Sequence, residues 1–369
     1  MHIPEVLYYW RAHEKSTAMH VGVKSYAIEA GVRSLEKRLK RMGLQGEVTP
    51  IQPGIPNYRV RFAIQGTPKV SILIFDYDDP TALDACLESI TRQSTWSAYE
   101  IVVVSRWEQK WQSRLPAETK KSRKKRRSNR EKERETAVRP EEKWGSIRFL
   151  TWKENSNYPA MINTGMESCE GEYVVLLSQN TQILTPDWIQ EMLMYAQRDD
   201  VGAVGAKIYD GNNMIRHAGY AYDYSGIPLR IFHSIARENM GYMGRLMVAQ
   251  NLTAVSSDCM MFRRKLPGLV NGFDDSFTEE YYDVDFCIRV RQAGFLIVWT
   301  PFCELCQTES EETLQPEPED VRNRRLSDRM HFLYRWINET EAGDPYFNPR
   351  ILLTEDENHP LQVRKSYSK

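Results

Sequence analysis

The sequence predicts an α/β fold built around a mostly parallel sheet. Short, uninterrupted apolar runs rich in β-branched residues recur along the chain, amphipathic segments of helical period separate them, and polar residues gather where the runs end. A strand buried on both faces reads as a continuous apolar run, and strands alternating with helices place helices on both faces of a parallel sheet.

The elements follow in order. VSILIF (Val70 to Phe75) predicts a buried strand. It ends in turn chemistry, Asp76 to Pro80, and the amphipathic TALDACLESITRQS follows as a helix. YEIVVVS (Tyr99 to Ser105) and IRFLTW (Ile147 to Trp152) predict the second and third strands, and PAMINTGMESCEG a helix closed by Gly171. EYVVLLS is the fourth strand, and its end, Ser178 to Thr181, falls at the carboxyl edge of the sheet, where open α/β sheets bind ligands. Further on, Trp188 to Gln197 predicts a helix, VGAVGAKIY a strand, SSDCMMFRR (Ser256 to Arg264) another strand, and MHFLYRWI a helix.

Phe277 to Ser310 carries the densest information. In YDVDFCIRVRQAGF, Phe286 and Val290 share a helical face, Arg289, Arg291 and Gln292 suit the other side, and Gly294 stops the helix before a buried strand. Asp283 and Asp285 sit at the helix entrance, where an ionised carboxylate is favoured by free N–H groups and the helix dipole. Two readings stand side by side, plain capping and a carboxylate that acts as a base.

Composition bounds the answer. The chain has 369 residues, 41% hydrophobic, which suffices for one large domain plus an appendage. Its formal net charge of −1 supplies no global field for nucleic acid or membranes. Six scattered Cys and no long apolar run in MHIPEVLYYWRAHEK lead to an expectation of a reducing cytoplasm. Cys303 and Cys306 have metal-ligand spacing but lack a second pair nearby, which argues against zinc. Thr119 to Arg139 is charge-rich and nearly without apolar residues, so a solvated, disordered insert is expected at 119–139. Its Lys120, Lys121, Arg123, Lys124, Lys125, Arg126 and Arg127 suit weak contact with an anionic lipid surface. Nucleic acid is disfavoured because aromatic stacking residues are missing from it.

From Val70 to about Pro349 the chain resembles the family 2 glycosyltransferases, and most nearly the bacterial enzymes of rhamnose-rich or similar surface polysaccharides. The Asp283 segment looks like that family's DVDFCLRLREAGY-type acceptor motif. The resemblance implies a GT-A fold, a Rossmann-like nucleotide-binding half joined to a mixed acceptor-side region, with an N-terminal helical appendage. It implies a family 2 domain over 67–350 and a C-terminal tail over 351–369. HIPEVLYYWRAHEKSTA and SYAIEAGVRSLEKRLKRMG resemble the end of such a domain and the linker helix that follows it in tandem proteins. Residues 1–66 are therefore expected to be the tail of an absent upstream transferase domain plus a linker, with His13 as an orphaned counterpart of a metal-side His, and a separate upstream domain is a candidate partner.

The implied chemistry is transfer of a sugar from a sugar nucleotide to a glycan acceptor by direct displacement, with Asp283 as the base. Phe75, Tyr77, Ser105, Asn157, Asn163, Ser178, Gln179 and Asn180 match donor-side positions, and His217, Asp258 and Asp285 fall on the acceptor side. Each has a plainer reading as fold support.

The family holds Mg²⁺ or Mn²⁺ with an Asp-x-Asp-like motif after the fourth strand. Here the sequence reads Leu177, Ser178, Gln179, Asn180, Thr181, without either carboxylate, and the metal-side His is replaced within Cys306 to Thr308, with Glu309 and Ser310 after it. No residue set is thus assigned to a metal. Arg216, Lys207 and Arg245, the cations nearest in sequence to retained motifs, are the candidates to balance a leaving diphosphate in its place. The alternative is a non-catalytic module of the same fold that binds a glycan, a nucleotide or a partner transferase. Either protein is expected in the cytoplasm or peripheral at the inner face of the membrane.

Overall fold

The computed structural model describes residues 25–53, 55–75, 79–105, 147–153, 157–223, 225–308, 318–347, 351–353 and 361–363. The expectations for His13, Tyr77, the 119–139 insert, Glu309 and Ser310, and most of the 351–369 tail lie outside them.

Helix α1 (Ser25–Arg41) leads into a hairpin, β1 (Gly46–Pro50) and β2 (Tyr58–Phe62). The sheet then begins with β3 (Val70–Phe75), α2 (Pro80–Gln93), β4 (Tyr99–Ser105), β5 (Arg148–Thr151), α3 (Tyr158–Glu167), β6 (Tyr173–Ser178) and β7 (Thr181–Ile183). It continues with α4 (Trp188–Ala196), β8 (Val201–Tyr209), β9 (Ile215–His217), the hairpin β10 (Tyr220–Tyr222) and β11 (Pro228–Arg230), β12 (Gln250–Asn251) and β13 (Cys259–Arg263). The short α5 (Leu266–Leu269), then α6 (Tyr282–Gln292), β14 (Leu296–Gln307) and α7 (Glu319–Arg335) follow.

The spatial order is β12-β14-β8-β13-β6-β3-β4-β5, with β7 beside β14 and β9 beside β8. β5, β4, β3 and β6 run parallel, β13 runs against both of its neighbours, and β14 is parallel to β8. VSILIF is wholly buried because helices cover both faces. One face packs on α2 and α4 through residues such as Ile72, Ile74, Leu87 and Trp188, the other on α3 and α6 through Leu73, Phe75, Ile162 and Phe286. Each fully buried side chain of this size contributes about 1.5–3 kcal/mol.

Local chemistry sets the boundaries. Asp79 caps α2 by accepting from Thr81 N and Ala82 N, with Pro80 in the first turn. Gly294, at φ 94°, follows α6 in the left-handed conformation that ends helices.

Two expectations need correction. Gly171 is not the closing glycine of α3, which stops at Glu167. A Cβ at Gly171 would lie 2.6 Å from Ser71 N, so glycine is there to let the chain pass against β3. The strand expected over 256–264 starts only at Cys259, and Ser256 to Asp258 form the loop before it.

The β1–β2 hairpin was not foreseen either. It is fixed to α4 by Arg59 against Glu191 at 2.5 Å, by Tyr195 Oη donating to Val60 O, and by Gln197, whose Nε2 donates to Ala63 O.

Gly205, in the middle of β8, tests the packing. A Cβ there would meet Val255 Cβ at 2.4 Å, an atom too close to its own backbone to swing aside. Gly205→Ala is expected to destabilise the fold by about 1–3 kcal/mol, read as a lower urea midpoint. An unchanged midpoint would contradict the close approach of β8 to the Val255 loop.

Candidate functional site at the carboxyl edge

The parallel strands end together. Phe75 pairs in register with Ser178 and with Val104, which places Phe75, Ser105 and Ser178 side by side at the carboxyl edge, all buried. Ser178 N donates to Asp258 O at 3.0 Å, so the loop before β13 crosses directly beside the end of β6.

Asp283 reaches the same loop from the first turn of α6. Its Oδ2 accepts from Ser257 N at 3.1 Å and its Oδ1 from Val284 N at 2.8 Å, while the side chain is only 5% exposed. Ser257 Oγ and Tyr282 Oη are 2.8 Å apart. The entrance of α6 is tight, with Tyr281 at φ 63°. Capping thus accounts for only part of this residue: one oxygen bonds within its own helix, and the other holds a neighbouring loop.

The Asp283 carboxyl is raised to about 7, chiefly by burial and also by the nearby Asp258, against the opposing pull of the Ser257 and Val284 amides and Arg230. A carboxyl at that value is poised to take or give a proton near neutrality.

Arg230 and Tyr220 were not anticipated. They are directly paired across the β10–β11 hairpin. Arg230 is exposed and feels the charges of Asp258 and Asp283, and Tyr220 is pushed well above the usual phenol range by burial and by Asp283. The one available signal was the turn sequence between them, Asp223-x-Ser-Gly, where Asp223 Oδ1 accepts from Ser225 N and Ile227 N and so sets the register.

Arg230 is a cation that acts on Asp283. Lys207 is influenced by Glu304, Arg237 and Glu238, and Arg245 by Asp344 and the Phe347 ring, so neither shares a charged neighbour with Asp283. Arg216 bears on His217.

His217 lies 4.4 Å, ring to ring, from Tyr220. Its Nδ1 accepts from Gly219 N at 3.0 Å, which leaves the proton on Nε2, and Nε2 is buried without a hydrogen-bond partner. Burial, aided by Arg230, His233 and Arg216, holds the ring well below the usual histidine range, so it is a neutral donor.

The two asparagines act as clamps. Asn157 caps α3 through Ala160 N and donates to Asp275 O at 2.8 Å, and Asn163 both donates to Phe273 O at 2.7 Å and accepts from Phe273 N at 3.0 Å. They hold the 272–276 loop ahead of α6. Asp285 is fully buried and turned into an ion-pair network, with Arg289 at 2.6 Å, Arg335 at 3.2 Å and Trp336 Nε1 donating at 3.0 Å.

The positions where the resemblance implies a divalent cation present Asn180 Oδ1, Thr181 Oγ1 and Gln307 Oε1, each buried without a hydrogen-bond partner. Thr181 and Gln307 face each other across β7 and β14. These are neutral oxygens, whereas Mg²⁺ is held by one or two carboxylates together with substrate phosphates. Among the described residues no three His, Cys, Asp or Glu side chains gather as a ligand set. The donor set therefore does not fit a divalent cation. Nor, among those residues, is any helix long and apolar enough to cross a membrane.

Residues 128–267 match the model of the family described as Glycosyl transferase family 2. The chain is 33% identical over 359 residues to Uncharacterized protein y4gI of Sinorhizobium fredii (strain NBRC 101917 / NGR234), an alignment that covers 96% of this chain and 37% of that protein. It is 29% identical over 366 residues to O-antigen biosynthesis protein RfbC of Myxococcus xanthus, covering 96% of this chain and 26% of that protein. The chain thus spans well under half the length of these two curated relatives. Among solved structures, the crystal structure of GalNAc-T7 with UDP, GalNAc and Mn²⁺ is similar, with a TM-score of 0.52 at 12% identity, over 86% of this chain and 57% of that one.

Because the carboxyl of Asp283 is raised, the native state retains a proton that the unfolded chain releases. The stabilisation this confers is full below the unfolded value near 4 and lost as pH rises through about 7. Asp283→Asn removes that dependence, so its Tm relative to the parent is expected to climb between pH 5 and 8, whatever the offset at pH 5. A gap between the two proteins that stays flat with pH would show that the carboxyl is not raised.

Proposed function

Since the chain carries a family 2 glycosyltransferase domain on a GT-A fold, we propose that it transfers a sugar from a sugar nucleotide to a glycan acceptor in cell-surface polysaccharide synthesis, by inverting displacement. The observation that carries this reading is the desolvated Asp283 carboxyl at the carboxyl edge, raised to about 7 and held by Ser257 N and Val284 N.

Asp283 takes the proton of an acceptor hydroxyl. The oxygen attacks the anomeric carbon, the bond from that carbon to the diphosphate breaks, and the nucleoside diphosphate leaves from the opposite side. Negative charge then builds on the leaving group. The cation placed to answer it is Arg230, which bears on Asp283 and Asp258 and projects from the β10–β11 hairpin. The neutral His217 Nε2–H, lacking a partner, is suited to a sugar or phosphate oxygen. Family 2 boundaries near 67 and 350 remain part of this proposal, as does a peripheral position at a membrane.

One observation favours a second reading. The carboxylate-free oxygens of Asn180, Thr181 and Gln307 suit a module that binds a sugar nucleotide, a glycan or a partner transferase without turning over. The two readings part on whether there is turnover.

Asp283→Asn is expected to lower kcat by about 10²–10⁴, and Arg230→Gln to lower kcat/KM by about 10²–10³, in assays of nucleoside diphosphate release with a glycan acceptor. Chelator is expected to leave the parent rate unchanged. Full activity in Asp283→Asn would remove the base. Binding of the donor with no release above background under any condition would favour the second reading.

A further inference from the structure

A cavity of about 340 Å³, lined by none of the residues around Asp283, lies where the β1–β2 hairpin meets β14. It opens beside Pro301 to Glu304, the part of β14 between the stretches that pair with β12 and with β7. Lys207, from β8, lines it. This side chain is only 5% exposed, and its ammonium makes no hydrogen bond or ion pair to a described residue; it lies 5.4 Å from the centre of the Tyr209 ring. Arg59 lines the same cavity, stacked 3.9 Å over the Phe302 ring, and its Nε is buried without a partner.

Three of the neighbouring carboxylates are committed elsewhere. Glu304 Oε1 accepts from the Tyr209 hydroxyl and its Oε2 from Arg237 at 2.6 Å; Glu191 is shared by Arg59 and Arg61; Asp187 is 3.5 Å from Arg61. Of the four cations here (Arg59, Arg61, Lys207, Arg237), Lys207 alone has no carboxylate of a described residue within ion-pair distance; the charges that act on it are Glu304, Arg237 and the exposed Glu238. An ammonium drawn out of water without a bonded counter-charge is disfavoured relative to its neutral form. Burial accordingly lowers the Lys207 pKa from the usual lysine value, against the pull of Glu304.

We infer that this cavity is a binding site for a small oxyanion, a phosphate or phosphomonoester, held jointly by Lys207 and Arg59. A phosphate supplies several acceptor oxygens, enough for the ammonium and for the Arg59 guanidinium at once. Met247, Pro301 and Phe302 give the remainder of the wall an apolar surface against which a carbon body could rest. The cavity's lining includes none of Ser105, Ser178, Asp258, Asp283 or Arg230, so it is a different pocket from the one around Asp283.

Isothermal titration of the full chain with inorganic phosphate and with glucose 1-phosphate, at matched ionic strength, tests this. Saturable binding is expected in the parent and in Asp283→Asn, and binding at least tenfold weaker in Lys207→Met and in Arg59→Gln. Tighter binding of glucose 1-phosphate would identify a phosphomonoester, and equal or tighter binding of phosphate the free ion. Circular dichroism confirms folding, and should Lys207→Met fail to fold, Arg59→Gln decides alone. Undiminished binding in the folded variants overturns the site, as does the absence of binding of either probe to the parent. Loss of binding in Asp283→Asn alone would move the anion to the carboxyl edge and equally overturn it.

Discussion

The carboxyl edge depends on one desolvated carboxylate. Asp283 ties the first turn of α6 to the loop before β13 through Ser257 N, and that loop is itself bonded to the end of β6 through Asp258 O and Ser178 N. Three separate stretches of chain therefore converge on one side chain. Burial makes it a poor permanent anion, and the two amides keep its ionised form within reach. A group balanced in this way can exchange a proton at neutral pH, and the native state gives up stability as pH rises from about 4 to about 7 to keep it there.

What holds Asp283 in place is largely the other carboxylate of the same turn. Asp285 is fully buried and joins α6 to the end of α7 through Arg335 and Trp336, so the helix cannot rotate about its axis without breaking ion pairs. Asn157 and Asn163 clamp the preceding loop, and Phe273 stacks on Phe286 at 4.2 Å. Rigid support of this kind fixes the donors and acceptors of the site before any ligand arrives. The charge arrangement around it combines neutral oxygens just after the end of β6 with an arginine on a hairpin that bears on the carboxylates.

Much of this was legible in the sequence for simple reasons. Strands buried on both faces leave uninterrupted apolar runs, so Val70 to Phe75 and Glu172 to Ser178 were readable without partners. Asp283 was readable because its helix, its neighbours and its closing glycine are contiguous. Arg230 was not, since its position depends on a hairpin register and on which loop that hairpin faces. The cavity that Lys207 lines was not legible, because a strand residue's sequence neighbours do not say which cavity its side chain enters. Gly171 was misread because the signature of a helix end and that of a close backbone approach are the same residue. The hairpin at Gly46 to Phe62 is short and half exposed, with too little apolar alternation to stand out.

The most direct test of this account is a titration of the Asp283 carboxyl itself, by ¹³C NMR of aspartate-labelled protein with the resonance assigned through Asp283→Asn. The structure predicts an ionisation step at about pH 7. A carboxyl that ionises near 4, as an ordinary aspartate does, would leave Asp283 a tie between α6 and the Ser257 loop with no part in proton transfer.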